Sequence, residues 1–354
     1  MEHLKRTAAA AAACAWAALC GWTGAQAAPG YRLESAVTLP GHSPGWDYLT
    51  VDPGRSYLFI GRRAQGVTVY DVATGRPVAT IENSRGANIA ALVPEVGRGY
   101  TANGDGTTTV FDLSTLKTLD RLKLGESADS AFYEPLTGQV AFTLGDSHEL
   151  VFVTAKTGAV AGRLHIDADE LEGAAADGQG FLYVNERDKN RVAKVDARTR
   201  RLVAEWPTPG CDMPTGLAID RADRRLFIGC KGEHPVLAVM DAGSGRVVAT
   251  GEIGRGNDGV VYDPATKRVF TSNGIDGNIV VYDQKGPDAY SLGGAITTRP
   301  IARTMALDPK SRKIYTVTAE GMVDPAEPIN RRAGSFYPNR YYDDTFTVLT
   351  YAPE

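Results

Sequence analysis

Seven positions spaced 41, 41, 43, 43, 43 and 45 residues apart carry Asp47, Asn88, Asp129, Glu172, Thr215, Asp258 and Arg303. Each stands at the head of an apolar alternating run, as in DYLTVDP from residue 47, DSAFYEP from 129 and DGVVYDP from 258. Gathered by a fold, they would form a ring of four carboxylates, an amide, a hydroxyl and a guanidinium. Crowded carboxylates raise one another's pKa and require a cation, a shared proton or a partner such as Arg303. The oxygen-rich set Asp47, Asn88, Asp129, Glu172, Asn257 and Asp258 suits calcium or another hard divalent cation better than a soft one. The plain alternative is that these residues are solvated or cap strand starts, where Asp and Asn are common turn formers. Asp52, Asp263 and Asp308, each before a proline, are turn chemistry of that kind, whereas no turn type demands an acid at the ring position.

A second group sits in the stretch 319–344, AEGMVDPAEPINRRAGSFYPNRYYDD, which is far longer than an ordinary hairpin connection. Long loops serve as lids or binding elements, and Arg331, Arg332, Tyr337, Arg340, Tyr341 and Tyr342 are suited to an anionic or aromatic ligand. Other motifs fail on context. GHSPG at 41–45 matches GxSxG, but a nucleophile elbow needs a strand, a sharp turn and a helix, and this run joins strand to strand. GRGNDG at 254–259 matches GxGxxG without a helix to receive a pyrophosphate, and NGDGT at 103–107 lacks the downstream Glu of a calcium loop. His148, His165 and His234 are assigned to different blades. His148 and His234, in loops, are the acid–base candidates.

The elements that must position these residues follow from internal repetition. DYLTVDPGRSYLFIG, NIAALVPEVGRGYTANG, DSAFYEPLTGQVAFTLG, EGAAADGQGFLYVNE, GLAIDRADRRLFIG, DGVVYDPATKRVFTSNG and TMALDPKSRKIYTV are copies of one unit. Their turn carries Pro53, Pro94, Pro135, Pro264 and Pro309 in five copies, with Gly178 and Arg221 in the fourth and fifth. Each pair of runs is followed by a third, such as VTVYD, and a fourth, such as RPVATIE, with Gly and Asn punctuation. Four short antiparallel strands at this period, with no helical periodicity, predict an all-β fold, a seven-bladed β-propeller. The last copy has two strands and a third, TFTVLTY from Thr345, while YRLESAVTL at Tyr31–Leu39 supplies the missing fourth and closes the ring. In such blades the innermost strands begin beside the central channel, on the face that carries the second-to-third-strand loops. The polar ring and the 319–344 loop therefore share the channel mouth.

Residues 1–27, with Lys5, Arg6, an alanine-rich run and Ala25-Gln26-Ala27, read as a secretory signal peptide. Residues 28–354 are then one exported domain, periplasmic or secreted, expected to be monomeric and without a membrane span. Cys211 and Cys230 remain as a pair in a compartment where disulfides persist, and the turn at 221–224 is expected to set Thr215 opposite Cys230. No Cys/His cluster suggests zinc or haem. A net charge of -4 leaves no electrostatic footprint for nucleic acid.

The third-strand endings VYDVATG and VMDAGSG resemble the YVTN-type repeats of secreted bacterial propellers. GCDMPTGLAIDRADRRLFIGC, GRGNDGVVYDP and ARTMALDP are similar to the periplasmic YncE-like branch. The resemblance implies the architecture; the biochemical role of that branch is mostly unassigned, and the nucleic-acid binding associated with it is not favoured by the charge of this chain. Two functions fit the residues. One is a non-catalytic propeller that binds a small molecule or a periplasmic protein at the lidded mouth through Arg303, Trp46, Thr215, Arg331, Arg340, Tyr341 and Tyr342, without a cofactor. The other is a divalent-metal-dependent hydrolase, lactonase or lyase that uses the carboxylate ring, with His148 or His234 as proton shuttle.

Overall fold

Alternating apolar runs punctuated by Asp, Gly and Pro fold into seven four-stranded antiparallel sheets, seen in a computed structural model that describes residues 30–42, 45–329 and 337–354. The proposed signal at 1–27, Ser43 of the GHSPG run, and Arg331 and Arg332 lie outside the described residues. The inner strands are Leu49–Asp52, Ala87–Val93, Ala128–Glu134, Leu171–Ala176, Pro214–Asp220, Asn257–Asp263 and Met305–Leu307. Each packs against the next, and the first packs against the seventh. The architecture is the predicted β-propeller. Among the described residues no helix is long and apolar enough to cross a membrane.

Closure uses both ends of the described chain. Tyr31–Leu39 pairs antiparallel with Phe346–Pro353, from Tyr31 opposite Pro353 to Leu39 opposite Phe346, as the outer strand of blade seven. Between blades, apolar faces interlock. Phe59 stacks on Phe111 at 5.6 Å across blades one and two, and Phe227 meets Tyr262 at 5.0 Å across blades five and six. Burying a ring of this kind contributes about 1.5–3 kcal/mol. Turn acids behave as their Asp-Pro context requires: the carboxylates of Asp52, Asp263 and Asp308 accept backbone N–H bonds, each at 2.9 Å, from Gly54, Ala265 and Lys310.

Cys211 and Cys230 form the expected disulfide, with Cα atoms 5.3 Å apart. Closing a loop of 19 residues stabilises by about 3 kcal/mol in the chain-entropy picture. One detail of the register differs from expectation. Pro214, not Thr215, lies opposite Cys230, because a bulge between Pro214 and Gly216 takes Thr215 out of the ladder.

Candidate functional site: the channel mouth

That bulge recurs in five consecutive blades. The ladder shifts between Ala87 and Ile89, Ala128 and Ser130, Leu171 and Ala174, Pro214 and Gly216, and Asn257 and Gly259. The residues set out of register are Asn88, Asp129, Glu172 with Gly173, Thr215 and Asp258, so every one of these bulges falls on a ring position. A regular strand turns successive side chains to opposite faces of its own sheet, whereas a bulge places two residues against one and re-aims a side chain. In blade one Asp47 reaches the mouth just before the inner strand begins, and Arg303 does so in blade seven.

Three of the four acids meet cations that the reading of the ring position alone does not include. Arg63 Nη2 lies 2.6 Å from Asp47, and Lys231 Nζ lies 2.6 Å from Asp258. Arg303 holds the second oxygen of Asp258 through Nε at 2.7 Å and donates from Nη2 to the Trp46 carbonyl, also at 2.7 Å. Arg187 bridges Glu172 and Glu170, with 2.6 Å to the latter. Asp129 has the Asn88 amide instead, at 3.3 Å. Blades one, four and five supply Arg63, Arg187 and Lys231 just after the second strand; blades two, three and six have Gly104, Gly145 and Gly274 in the corresponding loops. Comparing that loop position across copies would have revealed the cations. A Cβ on Gly274 would lie 2.8 Å from that of Arg303, so this glycine makes room for the guanidinium.

Burial and the pairings together shift the ring acids in different directions. Burial draws Asp258 upward, but Lys231 and Arg303 outweigh it and hold the carboxyl below its ordinary value. Burial raises Asp47 against Arg303 and Arg63. Asp129 is pushed well above the carboxylate range by burial and then by Asp47, Glu172 and Asp258. Glu172 rises to about 7 through burial, with Arg187 opposing. Tyr48, a further residue missed in the sequence, stands among these acids, and burial followed by Asp258, Glu172, Asp129 and Asp47 drives its phenol up. Among the described residues no three His, Cys, Asp or Glu side chains stand close enough to share a metal ion.

Other expected site residues separate from the ring. Thr215 is fully buried and donates to the Met213 carbonyl at 3.0 Å, and Asn257 turns into blade six, where its amide donates to the carbonyls of Gly259 and Ser272. Trp46 is 1% exposed, packed on Tyr341 and Phe346 at 5.3 and 5.6 Å with Arg303 over its ring, so it is a floor rather than a contact surface. His148 lies 6.2 Å from His165 in the same blade, because His165 pairs with Glu149; the assignment of the two to different blades is corrected. His148 bonds the Ala168 carbonyl at 3.0 Å, and His234 is exposed on a blade-five loop.

Above the ring, the described part of the 319–344 segment includes a two-stranded ribbon, Gly321–Met322 against Arg340–Tyr341. A cavity of about 1020 Å³ opens between it and blade one. Arg63, Met322, Arg340, Tyr341, Tyr342 and Asp343 are among its walls, so the residue that pairs with Asp47 also faces the cavity. Tyr337 lines a separate 480 Å³ cavity on blade seven.

No protein-family model matches the chain. The uncharacterized protein YncE of Salmonella typhi and that of Salmonella typhimurium are each 26% identical to it over 191 residues, 52% of this chain and 53% of theirs. Over that span the chain is similar to YncE, and its fold is a β-propeller. The match spans about half the length of those curated relatives. Among solved structures, the RRP9 WD40 repeats superpose with a TM-score of 0.72 at 12% identity, covering 91% of this chain and 98% of theirs. The Kuenenia stuttgartiensis hydrazine synthase gives 0.67 at 13%, covering 78% and 94%. At such identities the likeness is one of fold.

A pH dependence follows from the ring. Glu172 is raised above its unfolded value of about 4.5, so its contribution is fully present below that value and is lost as pH rises through about 7. Melting temperature is therefore expected to fall between about pH 5 and 7.5, with on the order of 2–3 kcal/mol from Glu172. Glu186, also raised to about 7, adds to the slope in both proteins compared. Glu172→Gln should flatten the profile, and calorimetry showing identical slopes in the two proteins would refute the assignment.

Proposed function

We propose that this chain is an exported propeller that binds a small anionic molecule with a planar or aromatic portion at its channel mouth. The observation that carries the reading is the cavity between ribbon and blade one, where the guanidiniums of Arg63, paired with Asp47, and Arg340, paired with Asp324 at 3.2 Å, stand with the aromatic faces of Tyr341 and Tyr342, beside Glu327 and Asp343. Arg63 links that cavity to Asp47 and hence to the ring. Pockets with a few convergent polar groups on a rigid scaffold are the usual form of small-molecule sites. Export is supported by the disulfide and by the signal-like residues 1–27.

Thermal-shift measurement with a panel of small aromatic carboxylates and phosphates tests the reading. At least one should raise the melting temperature, by about 2–3 kcal/mol of linkage at a hundredfold excess over Kd. Arg63→Ala and Tyr342→Ala should each weaken binding by about tenfold. A panel without effect counts against the anion reading. Calcium, magnesium, manganese and zinc belong in the same experiment. A rise with one of them that Asp129→Ala removes would favour the metal-dependent alternative, since Asp129 is the ring acid held by an amide rather than a cation.

A further inference from the structure

Two departures from the repeat meet on the opposite face. Gly178 and Arg221 replace the turn proline in blades four and five, and they are neighbours: a Cβ on Gly178 would lie 3.6 Å from Arg221 Nη1. A Cβ on Gly180 would lie 3.2 Å from both the Arg198 guanidinium and the Leu136 side chain of blade three. The two glycines thus form a floor beneath two guanidiniums and an aliphatic tip. Both adopt positive φ, +75° and +97°, which disfavours any side chain there. Arg198 and Arg221 are exposed, and so is 57% of Leu136.

The local carboxylates are largely occupied by backbone amides. Asp177 accepts from Gln179 and Phe181, and Glu134 accepts from Leu136, Thr137 and Gly180. Asp196 accepts from the amides of Arg198 and Thr199, with the Arg198 side chain more distant at 3.4 Å. Arg224 and Arg246, exposed on blade five, extend the positive field. Net charge hides this patch because many of the chain's acids lie in the channel and in turns.

We propose that this face docks on an anionic lipid surface, with Arg198 and Arg221 engaging headgroup phosphates and Leu136 entering the interface beside them. Guanidiniums match phosphate geometry, and an exposed aliphatic side chain rimmed by arginine suits the boundary between headgroup and acyl chain. A single-stranded nucleic acid would call for open aromatic platforms. Here Phe181, Tyr183 and Trp206 are covered by Lys194, whose Nζ lies 4.6, 5.7 and 5.4 Å from their centres.

Co-sedimentation of the purified protein with vesicles tests this. Binding is expected to vesicles of phosphatidylcholine with about one-third phosphatidylglycerol, weakening with salt, and not to phosphatidylcholine alone. The double substitution Arg198→Glu and Arg221→Glu should weaken it by at least about tenfold, and Leu136→Ser by a few-fold. Arg85→Glu, an exposed change on the channel-mouth side, should leave it unchanged. The proposal is overturned by absence of binding to anionic vesicles, by equal binding to neutral ones, or by indifference to the double substitution. It is also overturned if a single-stranded oligonucleotide binds instead, loses binding in the double variant and ignores Leu136→Ser.

Discussion

Deleting Tyr31–Leu39 is expected to abolish cooperative melting and drive aggregation. The segment is the outer strand of blade seven, paired along its length with Phe346–Pro353. Its removal exposes the backbone edge of that strand, where all residues but the last are buried. It also removes Leu39, 2% exposed in the cluster that holds Trp46, Tyr70 and Phe346. Losing that side chain alone costs about 1.5–3 kcal/mol. A long unpaired edge flanked by apolar side chains is a template for pairing with other copies. Size-exclusion chromatography and calorimetry decide the matter: a truncated protein that elutes and melts as the full-length one does would refute closure by this strand.

Asp258→Ala should be the most damaging single change at the mouth, at about 3–5 kcal/mol, because it leaves Lys231 and Arg303 facing a partly buried site without their shared counter-charge. Both cations approach within 2.7 Å of this one carboxylate, and Arg303 further ties blade six to the Trp46 carbonyl of blade one. Following the substitution with Lys231→Met should restore part of the loss, since an unpaired cation costs more than an apolar group in its place. Asp146→Ala, on an exposed loop, is the control. Denaturant unfolding in which Asp258→Ala matches this control to within about 0.5 kcal/mol would show that the ion cluster is not a brace of the ring.

The same cluster marks where residue-by-residue reading stops. Asp47, Asp129, Glu172 and Asp258 were visible as a recurring acid, and the structure does bring them to one mouth. Their partners were not visible at the ring position, because Arg63, Arg187 and Lys231 belong to the loop after the second strand; Arg63 and Arg187 pair within their own blades, whereas Lys231 reaches across to Asp258 of the next. Thr215 and Asn257 share the ring's neighbourhood in sequence but bond backbone carbonyls instead. His148 and His165 show the limit in the other direction: 17 positions apart in the chain, they become neighbours once a hairpin folds.

Blade number, strand order, the turn acids and the closing strand are encoded locally, in alternation and turn residues that recur at a near-constant period, and for that reason they are legible without coordinates. The disulfide is similarly constrained, by the small number of cysteines left to pair. The bulges are different. Each displaces the ladder by a single step, a shift that no residue type announces, and it is this shift that takes five ring residues out of the ladder. Which acids are held down by cations and which are pushed up by burial then follows from depth and from charges on the surrounding loops, quantities that exist only when the ring is closed. The basic patch on the far face has the same origin, since Gly178 and Arg221 are unremarkable apart and become neighbours only when blades four and five stand side by side.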